Sequence, residues 1–167
     1  MAFDKALTLV NKDCSGFNYS VTSASGTTGE IRVVDYLGVI TTTVTSVAFS
    51  GAGATTTGTI VLTTNGVYTL QWVVSSVIID QMAIVSTCDI DCCLVKLVNE
   101  LVSCDCNCAK CSKALAKAQK IYLLVKGSEV AADKYDIINN NTGYLLDAYN
   151  KYKKAKDICD LTCGCDC

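Results

Sequence analysis

The spacing of apolar and polar positions changes character near residue 88. Before it, apolar residues alternate with polar ones over short runs at 6–10, 17–21 and 45–49, as in Phe17-Asn18-Tyr19-Ser20-Val21. A period of two predicts strands with one buried face. Runs at 57–63, 67–74 and 77–85 continue the series, separated by Asp13-Cys14-Ser15-Gly16, Ser25-Gly26, Gly51-Ala52-Gly53 and Asn65-Gly66. The Thr63-Thr64-Asn65-Gly66 step predicts a hairpin, because Asn-Gly accepts the positive φ of a two-residue turn. Six or seven short strands at this spacing predict an immunoglobulin-like antiparallel β-sandwich over residues 1–87. Trp72, an aromatic within a strand, belongs in its core.

Beyond residue 88 the period becomes helical. Ile90, Cys93, Leu94, Leu97 and Leu101 form one apolar face. A second helix from Ala109 is expected to bury Cys111, Leu115, Ala118, Tyr122 and Val125, with Lys110, Lys113, Lys117 and Lys120 on a solvated face. It either continues to residue 138 or breaks at Gly127-Ser128, where glycine ends one helix and serine caps the next. Asn139-Asn140-Asn141-Thr142-Gly143 reads as a loop, and a last helix places Leu145, Ala148, Tyr152, Ala155 and Cys159 on one stripe. The fold class expected is α+β in two modules: the β-sandwich at 1–87, then a cysteine-rich antiparallel helical bundle at 88–167.

Composition narrows the chemistry. The 167 residues include no histidine and no proline, 18% are charged, and the net charge is −2. Without histidine a serine triad is excluded, and the carboxylates are scattered with no pair set for acid–base work. Asp89 and Asp91 flank a helix start, where aspartate caps more often than it binds a cation. No phosphate-binding glycine loop precedes a helix. The near-neutral balance gives no footprint for nucleic acid. The most apolar stretch, 67–87, is broken by Gln71, Ser75, Ser76, Asp80 and Gln81, so no membrane partner is expected. Residues 1–6 lack a basic head followed by an apolar run, so no secretory signal is expected either.

Twelve cysteines then carry the remaining signal. Helix lengths of about 45 Å for 109–138 and about 27 Å for 144–160 bring chain-distant cysteines together. Cys92 or Cys93 falls near Cys159, and the Cys104, Cys106, Cys108, Cys111 turn falls near the Cys163, Cys165, Cys167 tail. Three uses compete. Disulfides come first, since cross-links suit a thin three-helix core. Zinc held by Cys104, Cys106, Cys108, Cys111, Cys159, Cys163, Cys165 and Cys167 is the second reading; the Cys-x-Cys pairs depart from usual ligand spacing. Redox catalysis is third, because Cys108-x-x-Cys111 lacks a βαβ context. Cys14 follows the first strand and Cys88 the last, which suits a tie between sandwich ends.

The segments Asn65-Gly66-Val67-Tyr68, Cys88-Asp-Ile-Asp-Cys92-Cys93-Leu-Val-Lys-Leu97 and Cys104-Asp-Cys-Asn-Cys-Ala-Lys-Cys111, with a Cys-x-Cys end, resemble poorly characterised cysteine-rich structural proteins of tailed bacteriophages, including marine and crAss-like phages. The resemblance covers the second module well and the first in outline. It implies a non-enzymatic virion component of the tail, neck or capsid surface. Such a protein is made in the host bacterial cytoplasm without a signal peptide and later meets an oxidising medium. Its implied partners are copies of itself, as a homo-oligomer, and other virion proteins. A zinc-binding protein and a secreted adhesin or filament subunit are the alternatives.

Overall fold

The structure, a computed structural model, describes residues 6–102, 109–135 and 141–163. In chain order the elements are β1 (Leu7–Asp13), β2 (Gly16–Ser23), β3 (Gly29–Asp35), β4 (Ile40–Val47), β5 (Ala54–Val61), β6 (Gly66–Val74), β7 (Val77–Ser86), α1 (Cys88–Val102), α2 (Ala109–Asp133) and α3 (Thr142–Cys163). The strands form two antiparallel sheets, ordered β1-β2-β5 and β4-β3-β6-β7. The chain is therefore mixed α+β, with strands giving way to helix at Thr87 and Cys88.

One core joins the sheets. Phe17, Tyr19, Val21 and Ile60 from the first meet Ile31, Val33, Leu70, Trp72 and Ile84 from the second. Trp72 is fully buried, with Phe49 edge-on to its ring at 5.5 Å. Val67 and Val85 face the other way and enter a second core with α1, α2 and α3. That position explains β6, where seven of nine residues are buried: it is covered on both faces.

Four expectations are corrected. Asn65-Gly66 does not turn a hairpin, because β5 pairs with β2 while β6 pairs with β3 and β7. The segment crosses between sheets, and Asn65 Oδ1 accepts hydrogen bonds from the Ser86 hydroxyl at 2.8 Å and the Cys88 N–H at 3.3 Å. The β6–β7 hairpin instead turns at Ser75 and Ser76, with φ of 50° and 66°. β3 is an added strand: Ile31 and Val33 are buried, while Glu30 and Arg32 ion-pair beside them and mask the alternation. β4 begins earlier than expected, at Ile40, and ends at Val47.

The fourth correction concerns the buried face of α2, which takes the unbroken one of its two expected courses through Gly127-Ser128 and ends at Asp133. Its buried stripe is Ala114, Ile121, Val125, Ser128 and Ala132, with Ala118 partly buried. Leu115 and Tyr122 are 46% and 53% exposed. Close approach to Ala148 and Ala155 of α3, both fully buried, selects small residues over large ones. Ser128 makes a join rather than a cap, donating to the Ala148 carbonyl at 2.7 Å. The α1 and α3 stripes lie as the periodicity predicts: Ile90, Cys93 and Leu97 are buried, as are Leu145, Ala148, Tyr152, Ala155 and Cys159.

Candidate functional site

Two places gather chemistry-bearing side chains. The first is the cysteine framework. Cys14, in the β1–β2 turn, is disulfide-bonded to Cys88, the first residue of α1. Cys92, one turn further on, is also disulfide-bonded. Cys93 and Cys159 are buried at the α1–α3 contact. The Cys93 thiol lies 3.9 Å from the Cys159 carbonyl oxygen, and Cys159 Sγ lies 4.0 Å from that of Ile90. Cys111 falls in α2 and Cys163 closes α3, but their side chains are outside the described part. Cys104, Cys106, Cys108, Cys165 and Cys167 lie outside the described residues altogether. Among the described residues no group of His, Cys, Asp or Glu is placed to hold a metal ion.

Asp89 and Asp91 do what a helix start asks of them. The Thr87 hydroxyl donates to Asp91 Oδ2 at 3.0 Å, and the N–H groups of Ile90 and Asp91 both reach the Thr87 carbonyl at 2.8 Å. Asp89 Oδ1 accepts from the Ile90 N–H at 3.0 Å. Its Oδ2 receives the Tyr152 hydroxyl at 3.1 Å and the Lys156 ammonium at 3.1 Å. One carboxylate thus ties α1 to α3 while sitting at the positive end of α1.

The second place is a cleft of about 400 Å³ between α3 and the sheet. Tyr36, from the β3–β4 turn, stacks on Tyr149 of α3 with ring centroids 3.4 Å apart and planes at 12°. Tyr68, Tyr152, Lys153 and Lys156 continue the lining. The Tyr68 hydroxyl donates to the Thr64 carbonyl at 2.9 Å, which fixes the crossover before β6.

The pKa values of three groups lining this cleft are raised. Burial raises the Tyr152 pKa, and the Asp89 charge and hydrogen bond raise it further. Burial pulls Lys156 down, but hydrogen bonds and charge from Asp89 and Asp160 outweigh it, and its pKa is raised. The hydrogen bond to Tyr149, with burial, raises that of Tyr36. Lys153 forms an exposed ion pair with Asp157 at 3.0 Å. The arrangement stacks aromatic rings and offers hydrogen-bond donors.

No family model, curated protein or solved structure matches this chain.

Helical periodicity places Tyr152 in the helix core and does not single out the cleft. Part of its signal was present: Tyr149, Tyr152, Lys153 and Lys156 recur at helical spacing on one face of α3. Tyr36 and Tyr68 join them only through the sheet topology.

Proposed function

We propose that the chain is a non-enzymatic structural protein of a tailed-phage virion, serving in the tail, neck or capsid surface. The two sheets are read as an immunoglobulin-like β-sandwich. The strand order supports this reading, as does Tyr68, which bonds back to Thr64 near the start of β6 in the manner of a tyrosine corner. The helices are read as an antiparallel bundle packed on the outer face of the larger sheet.

The observation that carries the assembly reading is the Cys14–Cys88 bond. It fastens the first strand turn of the β-unit to the first residue of the helical layer, where a jointed protein would keep its flexibility. Interior polar groups serve the same end. Asp80 accepts the Leu7 N–H at 2.8 Å, Gln81 donates to the Tyr135 hydroxyl at 2.6 Å, and Ser128 joins α2 to α3. A rigid, stapled block is what a repeated building unit requires. Mass spectrometry of purified phage particles tests the assignment: the chain is expected as a particle component, and its absence refutes the virion role.

The tyrosine-lined cleft favours a second reading, an adhesin or filament subunit that binds a surface ligand through hydrogen bonds and stacking. Such a protein would be found on cells or filaments and not in particles. Zinc binding is tested separately, by metal analysis of protein purified under reducing conditions. One or two zinc ions per chain would displace disulfide stapling of the clusters, as would labelling of most cysteines by an alkylating agent without reductant.

A further inference from the structure

The two flanks of the paired sheets are finished differently. On one flank β1 and β7 are sealed to each other. The Leu7 N–H donates to Asp80 Oδ2 at 2.8 Å, the Lys12 ammonium donates to the Val85 carbonyl at 2.7 Å, and Cys14 is bonded to Cys88. Charge and covalent chemistry close that side against another strand.

The opposite flank carries β4 and β5, the outermost strands of their sheets. β4 is irregular, with two register shifts against β3 and Ser46 at φ 59°. Such irregularity blunts an edge. β5 has none: it pairs with β2 at every position from Gly16↔Val61 to Ser23↔Ala54, and among the described residues no strand pairs with its other side. Its regularity includes Gly58, where a Cβ would strike the Tyr19 ring. The row Thr55, Thr57, Thr59 and Val61 is exposed, and β5 contains no charge and no proline. It sits within an uncharged run from Tyr36 to Ile79, 44 residues long (79 − 36 + 1), in a chain that is 18% charged.

We infer that β5 is a self-pairing edge. It adds antiparallel to β5 of a second copy about a two-fold axis, joining two three-stranded sheets into one of six strands. The occupant follows from symmetry. In an isologous contact the same edge faces itself, residue i meeting j and j meeting i, so an edge bearing one sign of charge repels its copy and an uncharged one does not. Eight residues give about 27 Å of matched N–H and C=O groups. A two-fold antiparallel pair sets one residue opposite itself; centred on Thr57, it pairs Thr55 with Thr59 and Ala54 with Ile60 of the partner. This deepens the assembly reading, on which its biological use rests.

Sedimentation equilibrium of the full oxidised chain tests it, together with amide hydrogen exchange at low and high concentration. A monomer–dimer equilibrium is expected, with exchange in residues 54–61 slowing on association. Thr57→Lys is expected to raise the dimer Kd at least tenfold, on the order of 1.4 kcal/mol of like-charge cost. Thr57 is exposed, so the monomer keeps its circular dichroism spectrum. Thr8→Lys, on the same sheet but on the sealed strand β1, is expected to leave Kd unchanged. A chain that stays monomeric, a T57K variant that associates like wild type, or equal weakening by T8K and T57K would each overturn edge pairing; the last would indicate face-to-face stacking. A chain monomeric in solution yet present in particles overturns this inference alone. A β5-paired dimer absent from particles overturns the virion role alone.

Discussion

Replacing Cys14 and Cys88 together by serine tests the covalent tie most directly. The two cysteines are 74 residues apart, so the bond closes a loop holding nearly the whole β-unit. For a loop of about 75 residues the chain-entropy relation gives about 15 cal/mol/K, or about 4.5 kcal/mol at room temperature. Cys14 is exposed, so its replacement removes little packing and the loss reflects the cross-link. The double variant also avoids leaving one new thiol to exchange with the other cysteines. Urea unfolding without reductant is the assay, comparing wild type with C14S/C88S. With a slope of about 2 kcal/mol per molar, the midpoint is expected to fall by about 2 M. The slope itself should hold, because the core of Phe17, Ile31, Leu70 and Trp72 is untouched. A loss under about 1 kcal/mol would refute the reasoning, since the bond would then contribute almost none of its loop entropy.

Three smaller perturbations follow from local geometry. Tyr68→Phe removes the donor to the Thr64 carbonyl and the 2.7 Å contact with the Thr64 hydroxyl, and should cost about 1–2 kcal/mol in thermal unfolding. Ser76→Gly relieves a left-handed φ of 66° in the β6–β7 turn and should stabilise by about 0.5–1 kcal/mol; destabilisation would count against that turn geometry. Burial raises the pKa values of Tyr19, Tyr135 and Tyr152, so the unfolded chain releases these protons first as pH rises. Their stabilisation is therefore complete below about pH 10 and lost above it, by up to about 1.4 kcal/mol per pH unit for each group. Tyr152→Phe should shrink that alkaline loss in pH-jump unfolding and remove one late step from the tyrosinate absorbance titration.

What could be read in the sequence was what depends on neighbours along the chain. The α3 stripe from Leu145 to Cys159 and the α1 stripe from Ile90 to Leu97 follow from spacing alone, because each helix buries one face. The α2 stripe was misplaced because hydrophobicity favours Leu115 and Tyr122. The closeness of α3 decides for Ala114, Ala118 and Ser128, and that is a property of the pair of helices. Asn65-Gly66 carries a genuine turn signal, yet whether a turn joins paired strands or crosses between sheets depends on which edges are already taken. The cleft was hidden for a related reason: α3 contributes a legible face, but Tyr36 and Tyr68 arrive from segments more than 80 residues earlier.

On the disulfide reading proposed for the clusters, the same α2–α3 contact gives the helical layer a use for cross-links. Ala131, Ala132, Ala148, Ala155 and Ser128 permit close packing but each removes little apolar area from water, while Leu115, Tyr122 and Leu123 remain exposed. At about 25 cal/mol per Å², such an interface contributes less than the same length of leucine-lined helix. The sheet core, with Trp72, Phe17, Tyr19, Ile31 and Leu70, has no such deficit. Reduction should therefore act unequally. With a strong reductant, amides of α2 and α3 are expected to lose hydrogen-exchange protection first, while β2, β3 and β6 keep theirs in mild denaturant. Because α1 begins at Cys88 and carries the disulfide at Cys92, it should loosen with α2 and α3. Loss of protection in β6 at the same reductant concentration as in α3 would show one cooperative unit, and would refute a helical layer held chiefly by its cross-links.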